Sequence, residues 1–252
     1  MAQLPSFEDN SFLTKTSLNN IIVESNDQDG RLDTVELDIV ALQGQVNSLT
    51  GDLVILVGAG EDYTSLQDAI DFAMTIDPKG YKLYIIIRTG TTLTEQVVCS
   101  GNLSFVEINT EGASVLDIDQ TGYTGLNGER SFFQVYNGIS PVFRAFRVNV
   151  IGRAPLPPEE ITTVFACIGP GSGMDLGYFD SGDAVIITGD SYNGITAYAG
   201  GVIRAMGVTI AAGEASGFNV RNGGQIILNG FSSGSTNQTQ NTITGQGIIY
   251  KP

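Results

Sequence analysis

The segment GITAYAGGVIRAMG, starting at Gly194, returns twenty-three residues later as GFNVRNGGQIILNG, starting at Gly217. Gly194, Gly200, Gly201, Ile203 and Gly207 fall on Gly217, Gly223, Gly224, Ile226 and Gly230, and Ile195 falls on Phe218. A repeat this short cannot bury its own apolar residues and must stack on its neighbours. The period fits one circuit of a stack in which each short strand lies about 4.8 Å above the previous one. Glycine is expected to recur where the chain turns a corner with φ > 0, which places Gly223 and Gly224, like Gly200 and Gly201, at such corners. The same texture runs less regularly through residues 132–190. About 170 residues at this period predict ~7 circuits, a stack near 35 Å tall.

Composition agrees with turn-rich β-structure. Glycine contributes 32 of 252 residues, and charged residues make up 15%, against a usual ~25%. Short apolar runs separated by Gly, Asn, Asp and Ser are predicted as strands: Tyr84–Ile87, Gln96–Cys99, Ser104–Ile108, Phe132–Val135, Phe143–Val150, Val185–Thr188, Val202–Met206 and Gln225–Leu228. APLPPEE, residues 154–160, reads as a Pro-rich surface excursion.

The chain ahead of these strands has a different character. Residues 1–30 carry too few large apolar side chains to fold alone. Between residues 31 and 51, Leu32, Val35, Ile39, Leu42, Val46 and Leu49 recur at alternating spacings of three and four. That narrow stripe predicts a short coiled-coil seam, in competition with an amphipathic helix packed on its own domain. After the apolar run Leu53–Val57 comes DYTSLQDAIDFAM. Thr64 and Gln67 have capping-box spacing, and Leu66, Ala69, Ile70, Ala73 and Met74 form a helical stripe that ends at Pro78 and Gly80.

The net charge of −15 argues against nucleic acid and anionic membrane surfaces as partners. Cys99 and Cys167 lack metal or redox spacing and read as reduced core thiols, so neither a cofactor nor a metal is expected. The opening MAQLPSFEDN has no basic region followed by an apolar run, so no secretory signal is expected, and no window reaches the length of a membrane span.

VGAGEDYTSLQDAIDFA followed by YIIIRTGTTLTEQVVCSGNLSFVEI, residues 57–108, resembles the opening of pectin-lyase-like right-handed parallel β-helix proteins, including pectin methylesterases and many phage spikes. The resemblance implies a mainly β fold: a right-handed parallel β-helix over residues 52–252, capped by a short helix. A short N-terminal trimeric coiled coil over 31–51 and an attachment segment over 1–30 would precede it. The whole arrangement is similar to a tailspike or tail fibre of a tailed bacteriophage. It implies a homotrimer in the virion tail, made in the host cytoplasm, that holds other virion proteins through residues 1–30 and recognises a host-surface glycan. No GxVDFIFG-like stretch follows, so the esterases' catalytic aspartates have no counterpart. The fold hosts enzymes and inert adhesins alike. A polysaccharide-degrading tailspike and a capsid head fibre or decoration protein are therefore the alternatives.

A glycosidase needs two opposed carboxylates. Asp175, Asp180, Asp183 and Asp190 form the densest acidic group, with Asp180 and Asp183 the catalytic candidates if cleavage occurs, although turn aspartates bonding their own backbone give the same pattern. Without histidine a Ser-His-Asp triad is impossible. Tyr123, Tyr178, Tyr192 and Asn193 are the candidate glycan contacts, because a ring face packs on the apolar face of a pyranose. Partial burial of these rings between circuits competes with that role.

Overall fold

The structure, a computed structural model, describes residues 48–125, 130–153, 162–177, 184–189, 193–210, 216–229, 242–244 and 247–250. The compact unit containing the strands spans Leu49–Pro252. Among the described residues it is mainly β, with one α-helix and three sheets whose pairings are all parallel.

The chain visits the three sheets in turn. The eight-stranded sheet contains Leu53–Val57, Leu83–Ile87, Val106–Thr110, Ile139–Phe143, Gly173–Leu176, Val202–Met206, Gln225–Asn229 and Ile248–Tyr250, in that spatial order. From Leu83–Ile87 the chain passes to Thr92–Leu93 of the five-stranded sheet and Val97–Cys99 of the six-stranded sheet. It then returns to Val106–Thr110, directly beside its start. The same circuit recurs through Val115–Gln120 and Arg130–Tyr136, through Arg147–Arg153 and Thr162–Ile168, through Val185–Gly189 and Asn193–Tyr198, and through Val208–Ile210 and Ser216–Arg221.

The twenty-three-residue offset is a pairing register. Leu83 pairs with Val106, Val202 with Gln225, and Gln225 with Ile248, each 23 positions on. Ile195 lies beside Phe218 and Ile203 beside Ile226, as the repeat requires. The other circuits are longer, with Glu107 beside Val142 and Gly173 beside Val202. Their extra residues lie mainly between Gln120 and Arg130, Arg153 and Thr162, and Leu176 and Val185, all entering or leaving the five-stranded sheet. The corner from the six- to the eight-stranded sheet stays short, as at Tyr136–Ile139, Tyr198–Val202 and Arg221–Gln225.

Alternation explains the strands. In Leu83–Ile87 every second residue is fully buried and the others are half-buried, the period of two that a pleated strand gives. Parallel register then sets each inward residue on its counterpart one circuit away. Ile55, Ile85, Ile108, Phe143, Leu176, Ala205 and Leu228 make one inward column. Val97, Phe133, Phe165, Ile195 and Phe218 make another. The columns meet in a phenylalanine cluster. Phe143 lies 4.8 Å from Phe133, 4.9 Å from Phe165 and 5.1 Å from Phe146, edge to face in each case, the geometry the ring quadrupoles prefer.

The Leu66–Met74 helix buries Leu66, Ala69, Ile70 and Ala73 and packs on the edge strand Val97–Cys99. Its cap differs from the Thr64–Gln67 box expected from spacing. Ser65 is the N-cap and accepts from Asp68 N, while Glu95, from the next circuit, accepts from Leu66 N (2.5 Å) and Ser65 Oγ (2.6 Å). Gln67 turns to the sheet edge: its Oε1 accepts from Val98 N (2.7 Å) and its Nε2 donates to Val98 O (3.2 Å). The amide thereby stands in for a neighbouring strand's peptide group and closes an edge that would otherwise invite pairing.

Two expectations need correction. The predicted strand Phe143–Val150 is the end of one strand and the start of another, because the chain turns a corner at Ala145 (φ 45). Gly223 (φ 79) and Gly200 (φ 90) hold the left-handed conformation expected of a corner, but Gly224 and Gly201 are required for a different reason. A Cβ at Gly224 would sit 2.4 Å from Ala197 O, and one at Gly201 would sit 2.2 Å from Cys167 O. Replacing Gly224 with valine is therefore expected to cost about 2–3 kcal/mol through overpacking and to lower Tm by roughly 5–10 °C. Gly51→Ala, where a Cβ meets nothing within 4 Å, should melt like the parent. Thermal unfolding followed by circular dichroism checks both.

Candidate functional site

Of the four residues expected to contact a glycan, the two that are described, Tyr123 and Asn193, are buried. Tyr123 is buried at 3% exposure, and its hydroxyl donates to Glu95 O at 2.8 Å. Burial pushes its phenol far above the ordinary value, and the Glu95 and Asp119 carboxylates add to the rise. The ring belongs to the core and offers no face to a sugar. Asn193 is also buried, at the start of a strand flanked by Thr163 and Ser216. Tyr178 and Tyr192, and the acidic candidates Asp180, Asp183 and Asp190, lie outside the described residues. Asp175 sits in a strand and pairs with Arg204 at 2.8 Å. Of the heptad stripe, Leu32, Val35, Ile39, Leu42 and Val46 lie outside the described residues. Leu49 is a core residue of the β unit whose N–H donates to Asp77 O at 3.0 Å, so it does not extend the seam.

Cys99 and Cys167 are free and buried in one inward column, on either side of Val135. Burial raises the Cys99 thiol to about 11 and the Cys167 thiol to about 12. Neither supplies a thiolate nucleophile near neutral pH.

The outer face of the five-stranded sheet gathers polar side chains in register. Thr92, Asp117, Asn149 and Thr188 occupy successive levels of one column. Asn149 Nδ2 donates to Asp117 Oδ1 at 2.9 Å, and Thr188 Oγ1 donates to Val148 O at 3.0 Å. The ladder is therefore ordered before any ligand arrives. Val115 and Ile151 stand exposed beside it. Every extended circuit places its extra residues on one side or the other of this sheet, and long connections on a rigid scaffold are where binding residues concentrate. This face is the candidate recognition surface. Sequence reasoning passed over Asp117 and Asn149, although VLDIDQ and RVNVI alternate with a period of two and so mark one solvent-facing side.

At the corner between the eight- and five-stranded sheets lies a groove of about 470 Å³, floored by Leu56 and Ile86 and edged by Arg88, Asn109, Glu111 and Arg144. Its charges are matched within the chain. Arg88 pairs with Glu61 at 2.9 Å and with Glu111, Thr89 N donates to Glu111 Oε2 at 3.0 Å, and Arg144 meets Glu107 at 3.2 Å. A glycosidase acid needs a raised pKa. The Thr89 N–H, and then Arg88, hold Glu111 below its ordinary value, against the opposing effect of desolvation. Asp119, bonded by Thr121 N and Oγ1, is lowered in the same way. These carboxylates are built to stay ionised.

Comparison of the chain with protein-family models, with curated proteins and with solved structures finds no match.

A folded-state pKa below the unfolded value gives stability that is present above the unfolded value and lost as pH falls through the folded one. Tm is therefore expected to hold from pH 7 to about 5 and to fall on acidification below 4.5, the ordinary value for Glu111. A Glu111→Gln, Asp119→Asn variant should show a shallower fall. Thermal melts across that pH range provide the check.

Proposed function

We propose that this chain is the subunit of a homotrimeric bacteriophage tailspike or tail fibre, a virion structural protein that recognises a host-surface glycan and does not cleave it. Its strands form a right-handed parallel β-helix of the pectin-lyase-like kind. The visit to three parallel sheets in turn supports that reading, and parallel crossovers are right-handed in about 98% of cases. The heptad spacing from Leu32 to Val46 supports a short coiled coil ahead of the stack, and the polar composition of residues 1–30 supports a segment that orders on another virion protein.

One observation carries the recognition role: the length variation between circuits is concentrated on both sides of the five-stranded sheet, whose outer face presents the Asp117–Asn149–Thr188 ladder. A face of ordered amide, carboxylate and hydroxyl groups beside the exposed aliphatic Val115 and Ile151 suits a hydroxylated, largely neutral polymer. The acidic net charge of the chain disfavours strongly anionic ones. Weak contacts at one face are multiplied by three chains in each spike and several spikes on each particle. The Thr89 and Arg88 contacts of Glu111, which hold it below its ordinary value, favour binding over hydrolysis, since it does not stand as a carboxylic acid poised to protonate a leaving group.

The test incubates the purified protein with host capsule or lipopolysaccharide. Retention on immobilised polysaccharide is expected, falling at least tenfold in an Asp117→Ala, Asn149→Ala variant whose melt matches the parent. Reducing ends and unsaturated products should not accumulate. Steady release of short chains would replace this reading with the depolymerase. Gold labelling of intact particles at the capsid instead of the tail would replace it with the head fibre.

A further inference from the structure

The three outer faces of the stack differ in what they show to solvent. On the six-stranded sheet the outward residues Gln134, Ala166, Thr196 and Asn219 are buried. The five-stranded face carries the polar ladder. Among the described residues, the eight-stranded face carries exposed apolar side chains at both of its ends and between them. Val54 is 51% exposed at one end, Ile248 and Tyr250 are 56% and 57% exposed at the other, and Ile139 is exposed between them. Tyr84, Val142 and Ile227 share the Val54–Tyr250 column with Glu107, Asp175 and Arg204, and Val202 shares the Ile139–Ile248 column with Gly173 and Gln225. Exposed apolar groups repeated over a face whose charges are internally paired mark a contact surface.

The charges on this face sum to zero and are paired within the chain. Glu107 meets Arg144 at 3.2 Å and Asp175 meets Arg204 at 2.8 Å. That matters in a chain of net charge −15, because copies of it repel one another over most of their surface. A neutral face is where a second copy can approach. Its size also fits. Eight strands at about 4.8 Å and five residues at about 3.3 Å give a footprint of roughly 600 Å², close to the ~800 Å² that one partner contributes to a stable interface.

We propose that the outer face of the eight-stranded sheet is the surface through which copies of this chain associate. The occupant is a second copy, set side by side and parallel, so that each level meets the same level of its neighbour. The proposal rests on the homotrimer stated above and assigns its contact face. It leaves the five-stranded face, with its ladder, pointing away from the contact and open to ligand.

Single cysteines test the assignment, because the two native thiols are buried. Val54→Cys and Ile248→Cys report on the proposed contact, and Val115→Cys and Ile151→Cys report on the five-stranded face. Within one chain Val54, Ile248, Val115 and Ile151 are almost equally exposed, at 51%, 56%, 56% and 52%. Light scattering establishes the mass of each variant, and the rate of modification by a bulky maleimide is then measured on the full chain. The expected result is a trimer in which the Val54→Cys and Ile248→Cys variants react at least tenfold more slowly than the Val115→Cys and Ile151→Cys variants, with the difference abolished on dilution to monomer. A trimer whose four sites react alike overturns the assignment and leaves the trimer standing. A parent chain that is monomeric at every concentration overturns both, and gives the face to a different partner.

Discussion

Each inward side chain in this protein rests on the side chains one circuit before and after it, because parallel pairing sets them at the same place on successive strands. This contact decides which residues the chain can tolerate. Ile55, Ile85 and Ile108 repeat the same branched shape at successive levels, and the column changes to Phe143 where the facing column supplies Phe133 and Phe165. Removing a ring such as Phe165 would open a cavity against at least two levels at once. Large-to-small changes of that kind cost about 3–5 kcal/mol.

The corners and the first edge follow from the same stacking. The six-to-eight corner turns tightly by letting backbone pass against backbone, as Gly224 does against Ala197 O. The stack must also begin somewhere, and its first six-stranded-sheet strand would present open peptide groups. Gln67 meets that need with a side-chain amide, and Glu95 ties the helix that carries Gln67 to the next circuit. The connections flanking the five-stranded sheet are released from these demands. They vary in length, and the polar ladder they flank is the part of the surface on which recognition can be built without disturbing the core.

The twenty-three-residue offset was legible wherever a circuit carries no extra residues, which is why Ile203 and Ile226 could be paired by inspection. The alternation of LYIII and QIILN was legible for the same physical reason, a period of two on a half-buried sheet. The ladder was hidden because Asp117 and Asn149 are 32 positions apart and Asn149 and Thr188 are 39 apart, so no constant offset joins them. Tyr123 misled because a tyrosine between glycines reads as an exposed loop residue, whereas its ring fills the core and its hydroxyl finds a carbonyl there. The corner at Ala145 escaped because alanine carries no turn signal, although it adopts φ 45. Leu49 continued the heptad spacing in sequence but serves the β core, and spacing alone does not distinguish the two.

The register between circuits is most directly tested by a distance across several of them. Thr92 and Thr209 lie at the two ends of the five-stranded sheet, 117 residues apart in the chain but only four strand-to-strand steps apart in space. Spin labels on cysteines at these two positions can be measured by pulsed electron paramagnetic resonance, with labelled chains diluted into unlabelled ones. The account predicts a single narrow distance near about 20 Å, four steps of about 4.8 Å with a small offset along the strand. A distance beyond about 40 Å, or a broad distribution, would contradict it, because the strands would then not be stacked one circuit upon the next.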